Sequence, residues 1–199
     1  GGFFTSYAYC NAVEKLLNLG IPKRAEYIRV LCMELNRIAS HLLWLGTFML
    51  DLGASSPLFY CFRDREVILS LFEELTGQRM MYNYFIFGGV RFDVSVDWLD
   101  KVNNFVSKFP SAIKDYENII TNNPIFLDRT IKKGILFKNT ALQYSVTGPN
   151  LRACGLDVDF RTKLPYSVYS ELDVVPAVNS RCDSYARYLV RIQELKNSL

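Results

Sequence analysis

Histidine is almost absent from this sequence: His41 is the only one in 199 residues. The five cysteines, at 10, 32, 61, 154 and 182, never approach Cys-x-x-Cys spacing. Structural zinc and iron–sulfur sites draw on close sets of such ligands, so no metal centre is expected from this chain by itself. The odd count and irregular spacing point to free, buried thiols in a reducing compartment. There is no block of Lys and Arg, and the net charge of +3 is small and dispersed. Nucleic acid is therefore not an expected partner. No stretch matches the roughly 20 mostly apolar residues of a spanning helix. The most apolar one, Ile38 to Ala54, is interrupted by Ser40, His41, Thr47 and Asp51. It reads as a buried helix of a soluble protein. Repeats and low-complexity tracts are missing too. The chain opens Gly1-Gly2-Phe3-Phe4 with neither initiator Met nor charged leader, and it stops within a helical pattern at Leu199. Both ends read as those of an internal fragment.

What is present is ordinary globular material: half the residues are apolar and 22% are charged, enough for a substantial core. Tyr7 to Leu19 has helical periodicity, stopped by Gly20-Ile21-Pro22. A long helix follows over about Arg24 to Leu52. Its early part is amphipathic, with Arg24, Glu26, Arg29, Glu34 and Arg37 among apolar residues; its later part is apolar nearly all round. The face through Ile38, Leu42, Leu45 and Met49 is the expected core face, and Gly53 the expected stop. Pro57 starts a third helix that ends at Thr76 before Gly77. Tyr84 to Val94 is aromatic and β-branched around Gly88-Gly89, which predicts an irregular turn with a short strand. Asp97 is the predicted cap of a fourth helix from Trp98 to about Thr121, kinked or split at Pro110. Ile125 to Thr130 is a short helix. From Ile131 the texture breaks up, and Tyr166 to Val175 suggests loops and small strands. A last helix begins near Asp183. The chain is thus read as a single fragment, 1–199: a helical bundle over about 7–122, a mixed irregular segment over about 123–180, and a C-terminal helix from about 183. The fold class is mainly α, with a small irregular or β portion.

Seven ordered blocks carry a resemblance. They are Arg37–Gly46 (RIASHLLWLG) with Leu50–Ala54 (LDLGA), Arg63–Glu66 (RDRE), Thr76–Tyr84 (TGQRMMYNY), Gly88–Val90, Asn123–Leu127 (NPIFL), Thr147–Arg152 (TGPNLR) and Arg187–Arg191 (RYLVR). Together they resemble the 49 kDa-type subunit of complex I along essentially the whole chain, though only the middle of the family's sequence. The resemblance implies a bundle of the nickel–iron hydrogenase large-subunit type from which the nickel-binding cysteines have been lost. It implies a subunit of a proton-translocating NAD(P)H-quinone oxidoreductase, lining the quinone-reduction site beside a terminal iron–sulfur cluster held by a neighbouring subunit. The implied partners are that iron–sulfur subunit, a 30 kDa-type subunit, a membrane-arm subunit and quinone as substrate; no cofactor is expected on the fragment itself. The implied setting is the cytoplasmic face of a bacterial plasma membrane, with thylakoid and mitochondrial inner membranes as alternatives. Two other readings stand beside it: the large subunit of an energy-converting hydrogenase, and a non-catalytic assembly piece.

By the same resemblance Asp51 supports a quinone-site histidine lying outside the chain, holding its imidazole in one tautomer and stabilising its protonated form; the alternative is a solvent-facing helix-end carboxylate. Thr47, four residues earlier and on the same face, either looks into the quinone cavity or bonds back to its own helix. Arg79, Met81 and Arg91 are implied to lie near the iron–sulfur cluster, where a fixed positive charge raises a reduction potential; the alternative for each arginine is an ion pair on a solvated face. Met81 stands where many ubiquinone-using relatives carry a histidine. His41 is a scaffold residue. The family's quinone-site tyrosine would fall just before Gly1, with the histidine loop further upstream. Ala186 replaces a usual Asp, which puts one ion pair in question.

Overall fold

The computed structural model describes all 199 residues and divides into two compact units, Gly1–Phe109 and Pro110–Leu199. It is mainly helical, with one two-stranded antiparallel sheet.

The first unit is built on three helices: α1 (Gly2–Leu17), α2 (Lys23–Asp51) and α3 (Ser56–Thr76). Helix α1 starts before Tyr7 and stops before Gly20. Asn18 adopts the left-handed conformation at φ 53° and ends it, as a short polar side chain can. Helices α2 and α3 form the main packed pair. Ile38, Leu42, Leu45 and Met49 are all buried, as the periodicity requires, and so are Cys61, Ile68 and Phe72 of α3. Gly46 permits the close approach: a Cβ there would stand 3.0 Å from the Leu58 Cδ1 and 3.3 Å from its Cα. The predicted turn is a hairpin, β1 (Phe85–Ile86) and β2 (Gly89–Val90), with Phe85 opposite Val90. Helix α4 (Val96–Tyr116) begins two residues earlier than Asp97 as its cap would place it. Ser95 caps it instead, its hydroxyl accepting from the Trp98 N–H at 3.2 Å, while Asp97 sits in the first turn, where the helix dipole favours a carboxylate. The helix runs through Pro110 without splitting and ends in a π-helical turn, Glu117–Thr121; proline removes only one rung of the ladder.

In the second unit the small strands expected in Tyr166–Val175 do not form. A single 3-10 turn, Tyr169–Glu171, replaces them. The Tyr166 and Tyr169 rings meet edge to face at 4.8 Å, and Ser167 has φ 52°, so the segment folds on itself and offers no ladder edge. Four short helices precede it: α5 (Pro124–Thr130), α6 (Lys138–Gln143), α7 (Gly148–Arg152) and α8 (Phe160–Lys163). Only α5 was expected from the sequence. Helix α9 (Ser184–Asn197) begins where predicted, with the Asp183 carboxylate accepting from the Ala186 N–H at 2.8 Å and the Lys132 N–H at 2.9 Å. Ala186 itself is fully buried in an apolar cluster with Ala153, Ala177 and Val190, so no ion pair forms at that position.

Candidate functional site

The second half of α2 is not covered on all sides. Ser40, Leu43, Thr47, Leu50 and Asp51 are exposed, and their spacing of three to four residues makes one stripe down the helix. Leu43 and Leu50 are 40% and 47% exposed, and Trp44 stacks on Phe48 beside them at 5.0 Å. The apolar run anticipated as buried all round therefore presents an apolar stripe carrying two polar groups, Thr47 and Asp51. The Thr47 hydroxyl donates back to its own helix, to the Leu43 and Trp44 carbonyls at 3.0 and 3.1 Å. Its proton is committed there, which leaves its oxygen as an outward acceptor. Asp51 closes the helix, and the last turn carries no basic residue. A carboxylate at the negative end of a 29-residue helix is electrostatically unfavourable. Local stability does not account for an acid at that position.

The other three candidates lie around the hairpin. Buried aromatic side chains fix this segment from inside. Tyr82 stacks on Phe3 at 4.3 Å and meets Phe72 edge-on at 4.8 Å, and the Tyr84 hydroxyl donates to the Phe92 carbonyl at 2.6 Å. Burial pushes the phenol pKa of both Tyr82 and Tyr84 up. Arg79, Met81 and Arg91 point the other way. Arg79 donates to Glu73 at 3.0 Å and to Glu66. Its guanidinium pKa is raised by these two carboxylates, Glu73 first, so its charge is compensated on the surface. Met81 is 82% exposed with φ 58°, a left-handed conformation that costs a non-glycine residue about 1–2 kcal/mol. The Arg91 N–H closes the hairpin on the Tyr84 carbonyl at 2.9 Å, and its side chain is exposed.

The five candidates do not gather in one place. The hairpin turn sits at the start of α2, where a Cβ on Gly89 would lie 3.5 Å from that of Ala25. Asp51 is 26 positions further along the same helix (51 minus 25), roughly 39 Å at about 1.5 Å per residue. Thr47 and Asp51 form one patch; Arg91 and the turn belong to another.

One element at the hairpin escaped the sequence reading. Arg29, placed there on the polar side of an amphipathic segment, is 1% exposed. It donates to both carboxylate oxygens of Glu14, at 2.6 and 3.0 Å, and to the carbonyls of Ile86 and Gly89, each at 2.8 Å. The Gly88 N–H returns a bond to Glu14 at 2.9 Å. Arg29 thereby holds the Glu14 carboxyl below the usual carboxylate range, against burial, which opposes it. Only the unused acceptors of a Gly-Gly turn hinted at such a partner, and one sequence does not say which cation meets them.

No group of three or more His, Cys, Asp or Glu is arranged to hold a metal ion, and no helix is long and apolar enough to cross a membrane.

Residues 51–199 match the family described as respiratory-chain NADH dehydrogenase, 49 Kd subunit. The chain is 50% identical over 196 residues to a chloroplastic NAD(P)H-quinone oxidoreductase subunit of Marchantia polymorpha. It is 49% identical over the same length to an NAD(P)H-quinone oxidoreductase subunit of Gloeobacter violaceus, and 50% identical to the chloroplastic counterpart from Physcomitrium patens. Each match takes in 98% of this chain and 50% of the relative. The chain spans about half the length of the curated relatives it matches.

Proposed function

This chain belongs to the family of the 49 Kd subunit of respiratory-chain NADH dehydrogenase, and from that premise we propose that it is the part of an NAD(P)H-quinone oxidoreductase subunit that lines the quinone-reduction site. The relatives' names support the reaction. The observation that carries the site is the α2 stripe. Leu43 and Leu50 are exposed there beside Thr47 and Asp51, and a hydrophobic surface rimmed by polar groups is the kind of wall that an apolar ring substrate takes.

In this reading the ring lies along Leu43, Trp44 and Leu50. The Thr47 oxygen accepts a hydrogen bond from a hydroxyl or ordered water. The Asp51 carboxylate holds a histidine from outside this chain and favours its protonated form, so that a proton is available as the quinone takes up electrons. The electrons come from an iron–sulfur cluster on a neighbouring subunit, approached by the outward face of Arg79, Met81 and Arg91. With Glu66 and Glu73 on Arg79, Arg91 is the arginine of that face better suited to act as a fixed charge. The iron–sulfur subunit, a 30 kDa-type subunit and a membrane-arm subunit are the proposed partners. The proposed setting is peripheral, at a bacterial plasma membrane or, as in the relatives named chloroplastic, in a plastid.

Photolabelling with an azidoquinone in membranes that hold the complete complex tests this reading. Label on the stretch from Leu43 to Asp51, displaced by excess quinone, is the expected result. Label confined to other subunits, with α2 unmodified, would remove α2 from the site.

A further inference from the structure

Two cysteines in the second unit are neighbours although 28 positions separate them (182 minus 154). Cys154 follows α7 and Cys182 precedes α9. Both belong to one small apolar cluster with Ala141 and Leu151. The backbone binds the two segments side by side: the Asn179 N–H donates to the Arg152 carbonyl and the Cys182 N–H to the Ala153 carbonyl, each at 3.0 Å. A Cβ on Gly155 would lie 3.6 Å from that of Ser180, so the approach continues past the thiol pair. A third strand of chain ties into the same point. The Leu136 N–H donates to the Cys182 carbonyl at 2.9 Å, and the Leu136 carbonyl accepts from the Cys154 thiol at 3.0 Å. Both cysteines are free thiols; Cys154 is buried and Cys182 half-buried.

The geometry points to a site of reversible disulfide formation between Cys154 and Cys182, with a disulfide-bearing oxidant, a small molecule or a protein, as its co-reactant. The two residues divide the roles by accessibility. Cys182 meets the oxidant: its thiolate attacks one sulfur, forms a mixed disulfide and releases the first thiol. Cys154 then attacks the Cys182 sulfur, closes the intramolecular bond and releases the second thiol. Two thiols of this chain are oxidised and one external disulfide is reduced to two thiols, whose protons come from the two cysteines. Arg187 supplies the local cation. It donates to the Cys182 carbonyl at 3.3 Å; burial and the neighbouring Cys182 thiol raise the pKa of Cys154, and the Arg187 charge offsets part of that rise. Cys10, Cys32 and Cys61 are buried in the other unit and serve as internal controls.

The test is peptide mapping by mass spectrometry of the full-length protein after exposure to oxidised glutathione, without reduction. The expected product is a peptide containing Cys154 linked to one containing Cys182, two hydrogens lighter than the separate pair and split again by dithiothreitol. C154S should accumulate glutathione on Cys182, because the resolving thiol is gone. Glutathione retained on Cys182 of the unsubstituted protein with no linked peptide, or both thiols left reduced, would overturn the pairing. The map of the unsubstituted protein decides the matter even if C154S fails to fold.

Discussion

Arg29 and Glu14 form a buried two-point ion pair, at 2.6 and 3.0 Å, that also clasps the hairpin turn from both sides. The cation binds the carbonyls of Ile86 and Gly89, and the anion takes the Gly88 N–H. Neither charge faces water, so each depends on the other, and the turn depends on both. Three separate stretches of sequence, α1, α2 and the hairpin, are held at this one point.

Replacing Arg29 by Met therefore leaves a carboxylate enclosed without its cation. Breaking a buried pair in this way costs about 3–5 kcal/mol. Urea unfolding of the variant should show a midpoint lowered accordingly. A midpoint equal to that of the parent would mean that the pair is not what holds the hairpin.

The same pair sets an acid limit. The Glu14 carboxyl is held below its ordinary range by Arg29. Asp159 is likewise held low: burial alone would raise it, but hydrogen bonding to Arg161 at 2.8 Å and the Arg161 charge outweigh that. A lowered folded-state pKa contributes stability that is complete above the unfolded value, about 4.3 for Glu and 3.9 for Asp, and is lost as pH falls through the folded value. Stability measured by denaturant titration should be flat around neutrality and decline below about pH 4.5. Glu14→Gln should be less stable at pH 7 and show a shallower acid decline. An unchanged acid slope in that variant would locate the sensitivity elsewhere.

Gly46 of α2 lies close against α3, with Leu58 3.0 Å from the place of a Cβ. Gly46→Val forces two enclosed helices apart. Overpacking of this kind costs about 1–3 kcal/mol, and thermal unfolding should register it as a lower midpoint. A variant as stable as the parent would show that Leu58 can turn aside freely.

The long helices were legible because their signal is periodic. Ile38, Leu42, Leu45 and Met49 repeat at helical spacing, and all four are buried. The stop at Gly77 and the helix start near Asp183 were legible because they are local chemistry: Gly77 takes φ 75°, and the Asp183 side chain accepts a backbone N–H three residues on. Non-local arrangements were not legible. Nothing in the sequence pairs Arg29 with Glu14 across 15 positions, or Arg152 with Glu194 across 42. Both are buried ion pairs between elements, visible only once those elements are packed. The aromatic run from Tyr166 carried β-propensity, yet with no neighbouring edge to pair with it became a turn; propensity without a partner strand decides little. For the site, Thr47 and Asp51 could be named and placed on one face, but that they lie far from the hairpin follows from the length of α2 rather than from any motif.

Asp51 is the sharpest test of the whole account, because a helix-end carboxylate with no basic residue in the last turn is either functional or incidental. In the complete complex, Asp51→Asn keeps size and hydrogen bonding but removes the charge that, in the proposed role, favours a protonated histidine. The measurement is the rate of quinone reduction in membranes carrying the variant, after the iron–sulfur chain has been reduced by its donor and assembly verified. A fall of about 10²-fold or more, in line with the loss of a positioned proton donor, with the cluster still reduced normally, is the predicted result. Quinone reduction at the parental rate in a fully assembled complex would contradict it and leave Asp51 a solvent-facing residue at the end of α2.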